Sequence, residues 1–488
     1  MKSRVFLNVC FLLWLINVAQ SAPLDEAGLS AALDTLIESH PTFQRTTICL
    51  KVVDLENGEV LYDRCSDRLL TPASNLKIYT SACALDTFGP EHRFTTRVET
   101  TGAIENGTLR GDIVLVGGGD PMLTHEDMAK LAESVLQQWG IQQIEGEIRV
   151  DNSRYGSPLK GPGWMWDDDP DYYNMPITSL MLDYNVILLE LTQDPEERLS
   201  AKPIADASYP VFETVEPAQL PGRRLFWRAP GTDTVLVART GDLNAFLDDL
   251  EENEQPRLTP NDPGKWVAGV FKRMLEKYGV EIVENDNSRQ SDSVQDSLEI
   301  EGRPLAESLK HFNHVSENAI GEVLLHEIAV SSGTSNPKWA DGAKAISNWL
   351  VDEAGLEGSS FRLVDGSGLS RYNLISADSA IRLLKYMRDH EQFETFFAAL
   401  PGYELELENI AWPDTPEEGF DNVRVWAKSG GMSGVSTISG YVRTLDGRML
   451  AFSLLANGFI GRNPRESIIE LRKQVWQTLV QYRNDDSR

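Results

Sequence analysis

The sequence predicts an α+β protein: a five-stranded antiparallel sheet flanked by helices, with a large, mostly-β insertion of one or two domains set into it. Three observations carry this expectation. A strand–turn–strand pattern, Ile48 to Leu55 and Val60 to Arg64 around Asn57-Gly58, follows an amphipathic helix near the start. Three strands and a second amphipathic helix close the chain. Between Lys77 and Ser316 lies a stretch far too long for a connection. At 488 residues the chain also exceeds what one hydrophobic core usually supports.

In chain order, Met1-Lys2-Ser3-Arg4 precedes the apolar run Val5 to Val18 and the small residues Ala19-Gln20-Ser21-Ala22. Residues 1–21 therefore read as a signal peptide cut after Ser21. No cysteine follows the cut, and no later apolar run approaches the ~20 residues of a membrane span. The mature protein is expected to be exported, periplasmic or secreted, and soluble. Leu29, Ala32, Leu33, Leu36 and Ile37 fall at helical spacing in Leu24 to Ser39. The following hairpin sets Cys49 nearly opposite Cys65. A disulfide between them fits an exported chain, though the spacing alone leaves it open. Cys83 reads as a small core residue. Thr71-Pro72-Ala73-Ser74 enters a helix that Gly89-Pro90 stops.

The insertion is expected over residues 96–301, with strands at Gly111 to Val116, Gly146 to Asp151 and Val186 to Leu191. Gln255 to Pro263 and Asn285 to Asp296 read as loops. A helix spans Ala319 to Val330, and Val423 to Lys428, Ser436 to Arg443 and Met449 to Ala456 read as strands. Pro464 to Tyr482 is the closing helix, its apolar side built from Ile468, Leu471, Val475, Trp476 and Leu479. Residues 22–95 and 302–488 are thus expected to form one discontinuous domain.

A net charge of −29 argues against nucleic acid and anionic lipid as partners. The chemistry-bearing patterns are Ser74-Asn75-Leu76-Lys77, then Ser316-Glu317-Asn318, then Lys428-Ser429-Gly430. A helix starting at Ser74 places the serine and Lys77 one turn apart on one face, a nucleophile beside a base. Each pattern alone has a plainer use: Ser74 and Ser316 as helix caps, Lys428 as a surface cation. In this order, on a helix, a helix start and a strand, they point to nucleophilic catalysis. His311 and His314 share a helix face without the Glu-bearing zinc motif around them, so no metal or other cofactor is expected. Asp365-Gly366-Ser367-Gly368 reads as a tight turn without chemistry of its own.

The ordered trio with a large insertion after its first member resembles the low-molecular-mass class C penicillin-binding proteins. These are the D-alanyl-D-alanine carboxypeptidase/endopeptidases of peptidase family S13. Gly118-Gly119-Asp120-Pro121-Met122-Leu123 looks like the family's glycine-rich turn, Gly163-Trp164-Met165-Trp166-Asp167-Asp168 like its Trp-rich segment, and Asp365 to Arg371 like the turn after its second motif. The resemblance implies a penicillin-recognising (β-lactamase/transpeptidase-like) fold. It implies peptidoglycan stem peptides as substrates and β-lactams as covalent inhibitors. Ser74 would be the nucleophile, Lys77 its base and Ser316 a proton relay. Asn318, Lys428, Ser429 and Gly431 would bind substrate, with Lys428 and Ser429 on its terminal carboxylate and Lys428 helping to lower the Lys77 pKa. Trp164, Asp167 and Met432 would face a diamino acid of the stem. The family usually has Thr where Ser429 stands, often Thr at Gly431, and Asp at Glu317; none of these departures removes a needed group. A β-lactamase and a non-catalytic peptidoglycan-binding protein are the two alternative functions.

Overall fold

The central sheet covers both faces of two nine-residue strands, Val435–Arg443 and Met449–Asn457, along nearly their whole length. The structure, a computed structural model, describes residues 23–40, 43–222, 224–250, 255–283, 293–405, 423–460 and 464–484. The expected signal peptide, residues 1–21, and the polar run 285–292 lie outside the described residues. Six strands form the sheet, in the order Gly402–Glu404, Val423–Met432, Val435–Arg443, Met449–Asn457, Thr47–Asp54, Val60–Arg64. All neighbours are antiparallel. The five expected strands are there, and the sixth, Gly402–Glu404, is too short to leave a periodic signal.

Alternation along Met449–Asn457 explains the layers. Leu450, Phe452 and Leu454 face a core shared with the helices Glu26–Ser39 and Pro464–Leu479, while Ala451 and Leu455 face another built on the helices Lys77–Phe88 and Asn318–Ser331. The sheet is therefore sandwiched, and its inner strands read as continuous apolar runs. The helix Lys77–Phe88 lies in the middle of the second layer and is buried all round from Lys77 to Leu85.

Residues between Val98 and Val280 build a separate apolar core, with Leu298 and Ile300 packed against it. It sits under two four-stranded and two three-stranded sheets. The expected strands appear as Ile113–Gly118, Ile148–Asp151 and Ile187–Gln193. Two long helices, His125–Trp139 and Pro263–Lys277, accompany them. The chain departs along Arg93–Thr100 and returns along Asp296–Pro304, and these strands pair antiparallel, Thr96 opposite Ile300. Asp296, read from sequence as loop, opens the returning strand. Arg257–Leu258, inside the other expected loop, pairs with Ile187–Gln193. Among the described residues no helix is long and apolar enough to cross a membrane.

Cys49 and Cys65 are joined, with Cα atoms 5.0 Å apart and a sequence separation of 16. A bridge closing so short a loop stabilises by about 3 kcal/mol, comparable to the burial of one or two large apolar side chains. Replacing both cysteines by serine is accordingly expected to lower unfolding free energy by about 3 kcal/mol, read from the denaturant midpoint. An unchanged midpoint would mean that sheet pairing alone holds the hairpin.

Candidate active site

Ser74 lies in a 3-10 turn, Ala73–Leu76, that runs directly into the helix Lys77–Phe88. The helix predicted from Ser74 onward thus begins with a tighter first turn. Two neighbours press on this turn so closely that each must be glycine. A Cβ on Gly368 would come within 2.0 Å of the Ala73 carbonyl oxygen, and one on Gly430 within 2.4 Å of the Pro72 oxygen. Asn75 pins the turn to the strand Val423–Met432: its amide donates to the Lys428 carbonyl at 2.6 Å and its oxygen accepts from the Ser439 hydroxyl at 2.9 Å. The Thr437 hydroxyl donates to the Pro72 carbonyl.

The Lys77 amine is fully buried and has three oxygen neighbours. Ser74 Oγ is 3.0 Å away, Asn318 Oδ1 2.7 Å and the Ser367 carbonyl oxygen 2.9 Å. Two of these are obligate acceptors, whereas the serine hydroxyl can also donate. A neutral lysine carries two N–H bonds and one lone pair. With both N–H bonds committed to Asn318 and Ser367, the lone pair faces the Ser74 hydroxyl. Burial lowers the Lys77 pKa to about 8, against the opposing pull of Glu322, Glu317 and Asp365. Burial is the leading cause, and the repulsion between Lys77 and Lys428, felt at Lys428, adds in the expected direction.

Both partners of the amine are themselves held. Asn318 opens the helix Asn318–Ser331 and donates its amide to the Tyr173 carbonyl at 3.0 Å. Ser367 belongs to the turn read from sequence as chemically idle. Asp365, at the head of that turn, accepts from the Gly368, Ser370 and Asn373 groups, while Glu322 accepts from the Gly366 and Ser367 amides at 2.7 and 2.9 Å. Burial pushes both carboxyls up, and their mutual repulsion adds to it for Glu322. Glu322 was not singled out in the sequence, and Asp365 was read only as the head of a turn. The available signal was two acids, Glu322 and Glu327, in a largely apolar helical run after Asn318, where both are buried.

Ser74, Ser316, Asn318, Lys428, Ser429 and Gly431 line one cleft of about 720 Å³, together with Asp167 and Met432. Ser316 sits between two helices with φ 63°, a left-handed backbone for a residue with a Cβ, and among the described residues its hydroxyl has no hydrogen-bond partner. Lys428 is 2% exposed, and burial followed by the charges of Lys77 and Arg472 holds its pKa well below the usual lysine range. Arg472, from the closing helix, donates to the Ser436 hydroxyl at 2.7 Å and the Thr437 carbonyl at 2.8 Å, bracing the neighbouring strand.

Trp164, expected in the cleft, lies behind it. Its indole N–H donates to Asp365 at 3.0 Å and its ring packs edge-on against Trp339 at 5.2 Å. The indole needs a buried acceptor, and the Asp365 carboxyl supplies one. Asp167 does reach the cleft, from a 3-10 turn anchored by Asp169, which pairs with Lys160 and with the buried Arg228, each at 2.7 Å. Trp164→Phe is therefore expected to cost about 1–3 kcal/mol of stability while leaving KM for substrate unchanged. A raised KM without loss of stability would return Trp164 to the binding surface.

Known proteins resemble this chain along most of its length. The sequence profile of the D-Ala-D-Ala carboxypeptidase 3 (S13) family matches residues 29–478. A D-alanyl-D-alanine carboxypeptidase of Actinomadura sp. (strain R39) is 30% identical over 475 residues, covering 91% of this chain and 84% of that protein. The D-alanyl-D-alanine carboxypeptidase DacB of Haemophilus influenzae is 23% identical over 88% of this chain and 90% of its own length. The crystal structure of penicillin binding protein 4 (dacB) from Haemophilus influenzae shares the fold. It matches with a TM-score of 0.72 at 20% identity, covering 93% of this chain and 99% of that one. A second structure of that protein is a complex with a β-lactam. With its profile spanning nearly the whole described chain, and the serine, lysine and asparagine of two distant patterns meeting at one amine, the chain belongs to the D-Ala-D-Ala carboxypeptidase 3 (S13) family.

Proposed function

We propose that this protein is an exported serine-type D-Ala-D-Ala carboxypeptidase/endopeptidase that cleaves peptidoglycan stem peptides through a Ser74 acyl-enzyme and is inhibited by β-lactams. Residues 22–95 and 302–488 form its catalytic domain in this reading, and residues 96–301 the insertion. One observation carries the proposal: the buried Lys77 amine, with two N–H bonds engaged by Asn318 and Ser367, 3.0 Å from the Ser74 oxygen.

Neutral Lys77 takes the hydroxyl proton as Ser74 Oγ bonds to the carbonyl carbon between two D-alanines, or of a cross-link ending in D-alanine. The oxyanion that forms is held by the Ser74 and Gly431 N–H groups. Collapse breaks the C–N bond, and the proton passes from Lys77 by way of the Ser316 hydroxyl to the departing amine. Water then hydrolyses the ester, returning Ser74. Lys428 and the Ser429 hydroxyl receive the terminal carboxylate of the substrate. Burial and Lys77 disfavour charge on Lys428, and an arriving carboxylate restores it, so anion binding and protonation reinforce one another. Asp167 and Met432 face the diamino acid on the acyl side, where a carboxylate opposite an ammonium favours such stems.

Release of D-alanine from a stem pentapeptide, lost in Ser74→Ala, tests the reading directly. Because the base must be neutral, acylation by a chromogenic β-lactam is expected to accelerate as pH rises through about 8 and to level off above it. A rate that falls across that interval would remove Lys77 from the role of base. Asp167→Ala is expected to reduce kcat/KM on diaminopimelate-type stems about tenfold and to spare simple acyl-D-Ala-D-Ala peptides. Equal losses on both would show that Asp167 does not read the diamino acid.

A further inference from the structure

The strand Val423–Met432 presents one peptide unit to the cleft and is gripped at that unit from behind. Ala427 N–H donates to the Pro401 carbonyl at 3.0 Å, on the side away from the strand Val435–Arg443. N–H groups alternate in direction along a strand, so those of Ser429 and Gly431 point the same way as that of Ala427. The short strand Gly402–Glu404 covers this edge only opposite Val423 to Trp426, and beyond it Gly431 lines the cleft. The peptide joining Gly430 to Gly431 is trans, with its C=O and N–H pointing in opposite directions within one plane. The Gly430 carbonyl therefore turns back toward Val435–Arg443, where Gly430 stands opposite Thr437.

A cation from the far end of the chain meets that carbonyl. Arg472 Nη2 donates to the Gly430 oxygen at 3.3 Å, alongside its bonds to the Ser436 hydroxyl at 2.7 Å and the Thr437 carbonyl at 2.8 Å. Arg472 lies on the side of the closing helix that carries the buried Ile468, Val475 and Leu479, and these residues seat the helix on the sheet. The Thr437 hydroxyl oxygen is 3.4 Å from the Gly430 oxygen and donates to the Pro72 carbonyl at the entrance to the Ser74 turn. A Cβ on Gly430 would also come within 2.6 Å of the Asn75 nitrogen, so this peptide unit and the Ser74 turn are built directly against one another. A guanidinium drawn to a carbonyl oxygen fixes the tilt of the peptide plane. It also polarises the unit, which raises the positive charge on the N–H at the opposite end.

We propose that Arg472 is a positioning residue for the oxyanion hole: by holding the Gly430 carbonyl from behind the strand, it aims and strengthens the Gly431 N–H that receives the negative oxygen of the tetrahedral adduct. The proposal rests on the peptidase reading above and adds to it a residue that acts through another. Arg472 is not one of the described residues lining the cleft, so it does not serve as a ligand for the substrate carboxylate. Its charge opposes charge on Lys428, and removing it would ease protonation of that lysine rather than hinder it. Loss of Arg472 is thus expected to leave carboxylate binding intact and to slow the step in which negative charge develops on the carbonyl oxygen.

Two variants of the full chain test it, each acylated by a chromogenic β-lactam. Arg472→Gln removes the cation. Its acylation rate at saturation is expected to fall about tenfold, less than the loss of an oxyanion donor outright, while the half-saturating concentration stays within about twofold. The second readout is the ester carbonyl stretch of the acyl-enzyme, measured by infrared difference spectroscopy with an isotope-labelled carbonyl. Weaker donation from Gly431 restores double-bond character, so the band is expected to move to higher frequency in Arg472→Gln. Arg472→Lys keeps the charge with fewer fixed donors and is expected to fall between wild type and Arg472→Gln on both measures; it carries the test alone if Arg472→Gln does not fold. A lowered unfolding midpoint with the carbonyl band unmoved would make Arg472 purely structural and overturn the proposal. Wild-type values of rate and band, or a loss confined to the half-saturating concentration, would overturn it too, with the peptidase reading untouched. A wild-type protein that forms no acyl-enzyme would instead overturn that reading and this inference with it.

Discussion

The proposed chemistry depends on three oxygens around one buried amine. The Lys77 nitrogen cannot turn away from Ser74 without abandoning the Asn318 oxygen or the Ser367 carbonyl, and a buried donor without a partner costs about 1–3 kcal/mol. That cost fixes direction as well as distance. The sheet, the central helix and the insertion all contribute to holding the acceptors in place. Asn75 ties the nucleophile turn to the sheet, Glu322 ties the Ser367 turn to a helix, and Tyr173 ties Asn318 to the Trp-rich side of the cleft.

The electrostatics follow from the same enclosure. Lys77 and Lys428 are both stripped of water, which disfavours charge on each. Glu322 and Asp365 are buried in the same region and Glu317 is half-buried there, and for all three loss of water favours the neutral form. The site therefore holds several groups that each resist ionisation. Charge on any acid supports charge on Lys77, so the protonation states of base and acids move together. Lys77, with its pKa lowered to about 8, lies close to the range in which a base serves best near neutral pH.

Much of the framework was legible in the sequence because it is written in local periodicity. The hairpin around Asn57-Gly58, the two terminal helices and the strand bearing Lys428 each announce themselves over a few residues. The trio of motifs was legible because its members are side chains. What escaped was of another kind. Ser367 acts through its backbone oxygen, which any residue could present, so the turn around it looked idle. Strands of two to five residues in the insertion, such as Arg257–Leu258, are shorter than one period of evidence. Trp164 was misplaced because an indole beside an acidic segment suggests a ligand contact as readily as a donor to Asp365. Arg472 is one polar residue on a solvent-facing helix by pattern, and only tertiary packing turns it toward the sheet.

The pairing of Arg93–Thr100 with Asp296–Pro304 has a further consequence. Since the two strands run side by side, a short turn could in principle replace everything between them, as though the intervening two hundred or so residues were an accessory acquired late. Yet Tyr173, whose carbonyl steadies Asn318, lies within that accessory. A lineage that trimmed it away would lose the carbonyl that holds Asn318 against Lys77, and would have to evolve a new acceptor before it could dispense with the old one.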